Sequence, residues 1–148
     1  MLGIIINPKS GKRAFRMQRL YLWKLLKKRR QPFIYRVTKY ANHAIELARE
    51  LVEEKGCTQI LVLGGDGTLN EVVNGLFIQR QCEPKDILLA VVAVGTGNDW
   101  VRTTCIPRNY SAAVRAIKEG YSFLQDVGKV TYTESKVEQT RYMANVAG

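Results

Sequence analysis

Acidic side chains are missing from the first 45 positions of this 148-residue chain, whose first Asp or Glu is Glu46. Twelve Lys and Arg fall in that stretch, and the remainder carries 11 against 13 acids. The formal charge of +10 is therefore concentrated in one third of the chain, which suits an anionic neighbour: nucleotide phosphate, an acidic membrane surface or nucleic acid. Histidine is nearly absent too. His43 stands alone in a predicted helix, which argues against a Ser-His-Asp hydrolase and makes it an ordinary surface or half-buried helix residue. The cysteines, Cys57, Cys82 and Cys105, are far apart and show no metal-ligand spacing. They read as reduced thiols in or near a core, in a cytoplasmic protein. No apolar run approaches the roughly 20 residues that span a bilayer. The opening Met1-Leu2-Gly3-Ile4-Ile5-Ile6 has no basic leader and meets Asn7-Pro8 too early for a signal peptide. Two familiar phosphate motifs are missing as well. There is no G-x-G-x-x-G after the first strand with an acid about 20 residues on, and no Gly-Lys-Ser/Thr of a Walker loop.

Present instead is Gly64-Gly65-Asp66-Gly67-Thr68-Leu69-Asn70-Glu71. It follows the apolar run at 60–63, which reads as a buried strand. Leu69, Val72, Val73 and Leu76 then repeat at helical spacing. Glycines at a strand-to-helix turn let backbone approach a ligand, and the helix that follows offers unpaired N–H groups and a positive dipole end. Asp66 is the unusual member, because a carboxylate repels phosphate. It should cap the helix, order the loop, or hold a cation or water that touches the phosphates.

Strands are expected at 2–6, 33–38, 59–63 and 87–94, and helices at 12–30, 41–55, after the glycine turn, and at 111–118. The polar stretch 79–86 reads as a connection. This alternation predicts an α/β fold, a Rossmann-like parallel sheet with helices on both faces. Residues 125–132 and 140–147 look like the first hairpin of an antiparallel β region. The expected division is a nucleotide-binding domain over 1–124 and an incomplete β-rich domain over 125–148, the chain reading as a fragment. Three polar, glycine-containing loops, at 7–11, 64–68 and 95–99, follow strands and so fall at one sheet edge, where open parallel sheets bind ligands. Thr38 closes its strand at the same edge.

Asn7-Pro8-Lys9-Ser10-Gly11, the Gly64-to-Glu71 run and Gly95-Thr96-Gly97-Asn98-Asp99 occur in the order and spacing of the diacylglycerol kinase catalytic-domain family, and the chain resembles that family over essentially its whole length. Bacterial lipid kinases and sphingosine kinases are members. NAD kinases share Gly-Gly-Asp-Gly-Thr but carry a different third motif. The resemblance implies ATP-dependent phosphorylation of a lipid hydroxyl with Mg2+. It assigns nucleotide binding to Asn7, Pro8, Lys9, Ser10, Gly11, Thr38, Gly65, Asp66, Gly67, Thr68, Leu69, Asn70, Glu71 and Thr96. Asp66 and Asp99 are the implied catalytic acids, with Asp66 also a candidate metal contact. It places the general base and principal magnesium ligands beyond Gly148, so the chain alone is expected to bind ATP weakly and turn over little lipid. Lys12 and Trp100 depart from the commoner Gly and Phe or Leu of the family. Alternatives are an NAD kinase relative and a non-catalytic nucleotide-binding module. Expected partners are a lipid substrate at a membrane, with peripheral contact at the inner face through the basic helix at 12–30. No nucleic acid is expected, since no stacking platform accompanies the charge, and a homodimer is left open.

Overall fold

The computed structural model describes residues 1–10, 23, 32–93, 99–104, 115 and 119–144. Four parallel strands form the main sheet: β1 (Leu2–Ile6), β2 (Phe33–Val37), β3 (Gln59–Gly64) and β4 (Leu88–Ala93), in the order β2-β1-β3-β4. β1 is entirely buried, which is why its sequence shows no alternation. Helix α1 (His43–Glu53) connects β2 to β3, and α2 (Asp66–Ile78) connects β3 towards β4 through a 3-10 turn at Pro84–Asp86. A short helix, α3 (Asp99–Thr103), follows β4. A hairpin of β5 (Gly128–Glu134) and β6 (Val137–Met143) makes a separate two-stranded sheet.

Alternate residues of each strand feed two cores. On one face, Ile5, Ile60, Val62 and Val91 pack with Ala44, Leu47, Ala48 and Leu51 of α1 and Leu69, Val72, Val73 and Leu76 of α2. On the other, Leu2, Ile4, Ile6, Leu61, Leu63 and Val92 gather with Phe33 and Trp23. The β2-to-β3 and β3-to-β4 connections advance across the sheet in one sense, and the β1-to-β2 connection runs in the other. Right-handed crossovers then require opposite faces. Trp23, which is helical, meets that requirement: its ring lies 5.2 Å from Phe33 and 4.9 Å from Tyr35, away from α1 and α2.

Several boundaries differ from the sequence expectation. α1 starts at His43, because Asn42 takes a left-handed conformation (φ 64°) before it. α2 starts at Asp66, so all of the glycine run except Gly64 and Gly65 is already helical. Asp99 and Trp100, read as loop, begin α3. β5 and β6 run longer towards each other than expected and meet at Ser135 and Lys136, both with positive φ, as a two-residue hairpin demands. These strands are exposed along most of their length, so no apolar alternation marked their inner ends. The expected helices at 12–30 and 111–118 lie outside the described residues, apart from Trp23 and Arg115, which are helical. Residues 11, 94–98, 105 and 145–147 of the expected elements also lie outside them. Of the described cysteines, Cys57 is buried, and burial pushes its thiol pKa up; Cys82 is half-buried. Among the described residues no helix is long and apolar enough to cross a membrane.

Helices α1 and α2 touch closely at Gly75, where an added Cβ would come within 2.5 Å of the Ile45 carbonyl oxygen and 2.7 Å of Ala48 Cβ. Backbone cannot retreat as a flexible side chain can, so Gly75→Ala is expected to destabilise the fold by about 1–3 kcal/mol. An unchanged urea midpoint would contradict this contact. A second tie joins edge strand β2 to α1: Arg36 Nε donates to Glu50 Oε1 at 3.0 Å, and Nη2 donates to the same oxygen. That hydrogen bond from Arg36 holds the Glu50 carboxyl below its ordinary value of 4.5, against a smaller opposing effect of burial. A lowered folded-state pKa means that the stabilisation is present above 4.5 and is lost as pH falls through the lower folded value. The pair is partly solvated, so the effect is on the order of 0.5 kcal/mol. Glu50→Gln should flatten the acid limb of a stability-versus-pH curve by that amount, and parallel curves would refute the assignment.

Candidate functional site

The parallel register aligns the carboxyl ends of the strands. Ile6 pairs with Val37 on one side and Leu63 on the other, so Thr38, Asn7 and Gly64 stand side by side. The Asn7 amide donates to the Leu63 carbonyl at 2.9 Å and the Thr38 amide to Ile6 at 2.9 Å, extending the ladder by one step. β1 and β3 are neighbours whose outgoing connections leave in opposite senses, which makes the gap above them the switch point where open α/β sheets hold ligands.

Two loops meet there directly. Asn7 Nδ2 donates to Thr68 Oγ1 at 2.8 Å, while Asn7 Oδ1 accepts the Lys9 amide at 3.0 Å and the Asn7 carbonyl accepts the Ser10 amide at 3.2 Å. The side chain of Asn7 therefore folds its own turn and ties it to α2. Pro8 and Lys9 are exposed beside it. Thr68 and Thr38 are buried, at 4% and 8% exposure.

The glycines of the turn divide by cause. At Gly64 an added Cβ would lie 2.7 Å from Thr68 Cβ and Oγ1, so the fold itself requires glycine there. At Gly65 and Gly67 an added Cβ would meet nothing within 4 Å. Packing does not explain those two; open space lies over them, at the first turn of a helix whose cap residue Gly65 supplies no side-chain acceptor. The first amides of α2 have no intrahelical acceptor either, and they carry the positive end of the helix dipole. This arrangement can receive an anion on backbone donors.

Asp66 points elsewhere. Its Oδ2 accepts the Asp99 amide at 3.0 Å and its Oδ1 the Trp100 amide at 3.3 Å. The carboxylate thus caps α3 and fastens its first residue, Asp99 at the end of the third loop, to the glycine turn, the loop-ordering option among those open to it. Asp99 itself is exposed, its Oδ1 accepting from Arg102 Nη1 at 3.0 Å. Glu71 Oε2 accepts the Ala44 amide at 3.2 Å and so caps the start of α1. Leu69 is wholly buried and its amide donates to the Gly65 carbonyl at 3.1 Å, so it supports the turn from beneath and offers no group to a ligand. Gly11 and Thr96, with the rest of residues 94–98, lie outside the described residues. Among the described residues no group of three or more metal-ligating side chains converges.

Sequence reasoning missed Asn74 and Gln125. Asn74 is buried in α2, where its Nδ2 donates to the Asn70 carbonyl at 2.7 Å and the Tyr142 carbonyl at 2.8 Å, and its Oδ1 accepts the Tyr142 amide at 2.9 Å. An open cleft of about 220 Å³ lies there, between Gly67, Asn70 and Glu71 of α2 and Arg141, Tyr142 and Met143 of β6, with Asn42 at its margin. The available signal was the i,i+4 pair Asn70 and Asn74 inside a helix otherwise apolar on that side.

The capping role of Asp66 makes a specific prediction. Asp66→Ala should destabilise the fold by about 1 kcal/mol, the usual loss for a helix cap. It should speed hydrogen exchange at the Asp99 and Trp100 amides before it affects the core strands. Exchange at those two amides that stays at the wild-type rate would show the carboxylate to be dispensable there.

A model of the diacylglycerol kinase catalytic domain matches residues 1–130. The chain is 38% identical over 145 residues to a diacylglycerol kinase of Staphylococcus carnosus (strain TM300), covering 97% of this chain and 43% of that protein. It is 36% identical over 145 residues to a diacylglycerol kinase of Staphylococcus aureus (strain JH9), covering 97% and 42%. A diacylglycerol kinase crystal structure from Bacillus anthracis str. Sterne superimposes with a TM-score of 0.69 at 27% identity, over 88% of this chain and 42% of that one. The chain thus spans less than half the length of the curated relatives it matches. With the sheet order, the two described loops at one edge and these likenesses in agreement, the chain belongs to the diacylglycerol kinase catalytic domain family.

Proposed function

We propose that this chain binds ATP at its glycine turn and is the nucleotide-binding part of a lipid kinase, which transfers the γ-phosphate to a hydroxyl of diacylglycerol or a related lipid. The observation that carries the reading is the contrast among the glycines: Gly64 is demanded by packing, whereas Gly65 and Gly67 keep space open above a helix start. A phosphate group fits that space and that charge. Curated relatives named as diacylglycerol kinases favour the lipid acceptor over NAD.

In this proposal the backbone of residues 65–68 and the loop at 7–11 hold the phosphates. Thr38 and Thr96 line the nucleotide, and Asn70 and Glu71 border it. Leu69 contributes by packing beneath the turn. Asp66 acts by holding the third loop in place, and Asp99 faces the acceptor side. Among the described residues no cage of carboxylates converges; Asp66 would be the contact in this chain for Mg2+ carried on nucleotide phosphates, and the family resemblance places the principal ligands beyond these residues. Bound there, the ion would offset charge on the transferring phosphoryl group. Phosphoryl transfer depends chiefly on positioning and on stabilising that charge. The fixed amides and the Asn7–Thr68 tie supply both without reorganising. The hydroxyl proton passes to a base that the family resemblance places beyond these residues. The basic residues of the expected helix at 12–30 are proposed to dock the protein on anionic lipid, each near the surface contributing about 1 kcal/mol.

Gly65→Ala and Gly67→Ala separate packing from binding. Gly67→Ala should keep wild-type stability, since helical Ala is no worse than Gly, and Gly65→Ala, at the extended cap position, should cost no more than about 1 kcal/mol. Both should weaken ATP binding at least about tenfold by filling the open space, a loss of about 1.4 kcal/mol. Equilibrium dialysis with labelled ATP reads this directly; unchanged affinity in both variants, or none in the wild type, ends the reading. Transfer of label to diacylglycerol in mixed micelles, measured on the chain and on any longer reading frame containing it, tests the acceptor, and label appearing on NAD instead would overturn it. Sedimentation with phosphatidylglycerol vesicles should fall as salt rises; salt-independent or absent binding refutes the docking role.

A further inference from the structure

Hydrogen bonds close a ring around the first turns of α2. Asp66 accepts the Trp100 amide, Trp100 Nε1 donates to Gln125 Oε1 at 2.8 Å, and Gln125 Nε2 donates to the Ala144 carbonyl at 2.6 Å. The Ala144 amide then donates to Asn70 Oδ1 at 3.2 Å, one helical turn from Asp66. Asn74, one turn further along, pairs with both backbone groups of Tyr142 as a neighbouring strand would. The Tyr142 ring stacks on Phe77 of the same helix at 4.4 Å. One face of α2 therefore serves as an edge for the end of β6.

Helix stability does not account for Asn74. Asparagine is a poor helix former, and a buried amide is unfavourable unless its hydrogen bonds are made. Here two of its three are made with Tyr142 of the hairpin and one with the Asn70 carbonyl of its own helix. The same docking builds the cleft, whose walls are the glycine-turn end of α2 and residues 141–143 of β6. A ligand on that turn and a displaced hairpin cannot be independent, because both act on the same wall and on the ring that includes Asp66.

We propose that Asn74 is a positioning residue: with Asn70 and Gln125 it holds the end of β6 in strand-like register on α2, and nucleotide binding at the glycine turn is energetically coupled to that docking. The coupling rests on the nucleotide reading above. Asn74 touches no nucleotide in this scheme and acts through the cleft wall.

Hydrogen exchange and ATP titration on the chain test it together. Without nucleotide, Asn74→Leu should raise exchange at the Tyr142 and Ala144 amides about tenfold or more, each lost bond being worth roughly a factor of 2 to 12. Gln125→Leu opens the ring from its exposed side and should speed exchange at Ala144, leaving the core strands protected. With saturating ATP, wild-type protection at both amides should rise. Each variant should bind ATP roughly 5- to 20-fold more weakly, as reciprocity requires. Asn74→Asp, which keeps the acceptor for the Tyr142 amide but sets a second carboxylate oxygen against the Asn70 and Tyr142 carbonyls, should hold the hairpin no better than Leu. Should Asn74→Leu fail to fold, Gln125→Leu decides. ATP bound by the wild type with no change in protection, and bound equally by the Gln125 variant, would overturn the coupling and leave the nucleotide reading intact. A wild type that binds no ATP ends that reading and the coupling with it, while exchange without nucleotide still tells whether Asn74 and Gln125 hold the hairpin.

Discussion

Thr68 sits so near the end of β3 that residue 64 has no room for a side chain, and much of the site geometry depends on that close approach. A helix starting so tightly against its strand keeps its first amides over the sheet edge. The same approach brings the Thr68 hydroxyl within reach of Asn7 on the adjacent strand end. Two loops distant in sequence are thereby fixed to each other by a glycine and a side-chain hydrogen bond. Neither depends on a bound ligand, so the anion-receiving geometry is formed in advance.

Successive turns of α2 then carry different duties. Its first residue, Asp66, caps α3 and holds the third loop. Glu71 caps α1 on another side. Leu69, Val72, Val73 and Leu76 fill the core, while Asn70, Asn74 and Phe77 receive the hairpin. Gly75 allows α1 to lie against the helix at close range. A helix with so many distinct contacts around it has no broad solvent face. Such a helix also transmits strain, because packed neighbours on every side leave it little freedom to adjust.

Strands β1 and β3 were legible because strands buried on both faces must be apolar throughout, and the glycine run was legible because its composition has few other uses. The partners of the polar residues were not. Asp66 could have capped its own helix, ordered a loop or held an ion. Its sequence neighbourhood is the same in each case, and the choice rests on where residues 99 and 100 arrive in space. Glu71 reads as part of a phosphate motif, yet its carboxylate meets an amide 27 positions away. Asn74 gave only a faint sign, an amide in an apolar helix. The inner ends of β5 and β6 were missed because exposed strands need no hydrophobic alternation.

Local chemistry alone determined the parallel α/β class, the order of the elements and the three loops at one sheet edge. Strand burial, helix periodicity and right-handed crossovers act within short stretches of chain and leave marks there. The family, too, was legible in the spacing of those loops. Tertiary structure alone decided which glycine serves packing and which leave space, which helix Asp66 caps, and how α2 receives the hairpin. Those outcomes depend on distances between residues up to 74 positions apart, which no local pattern encodes.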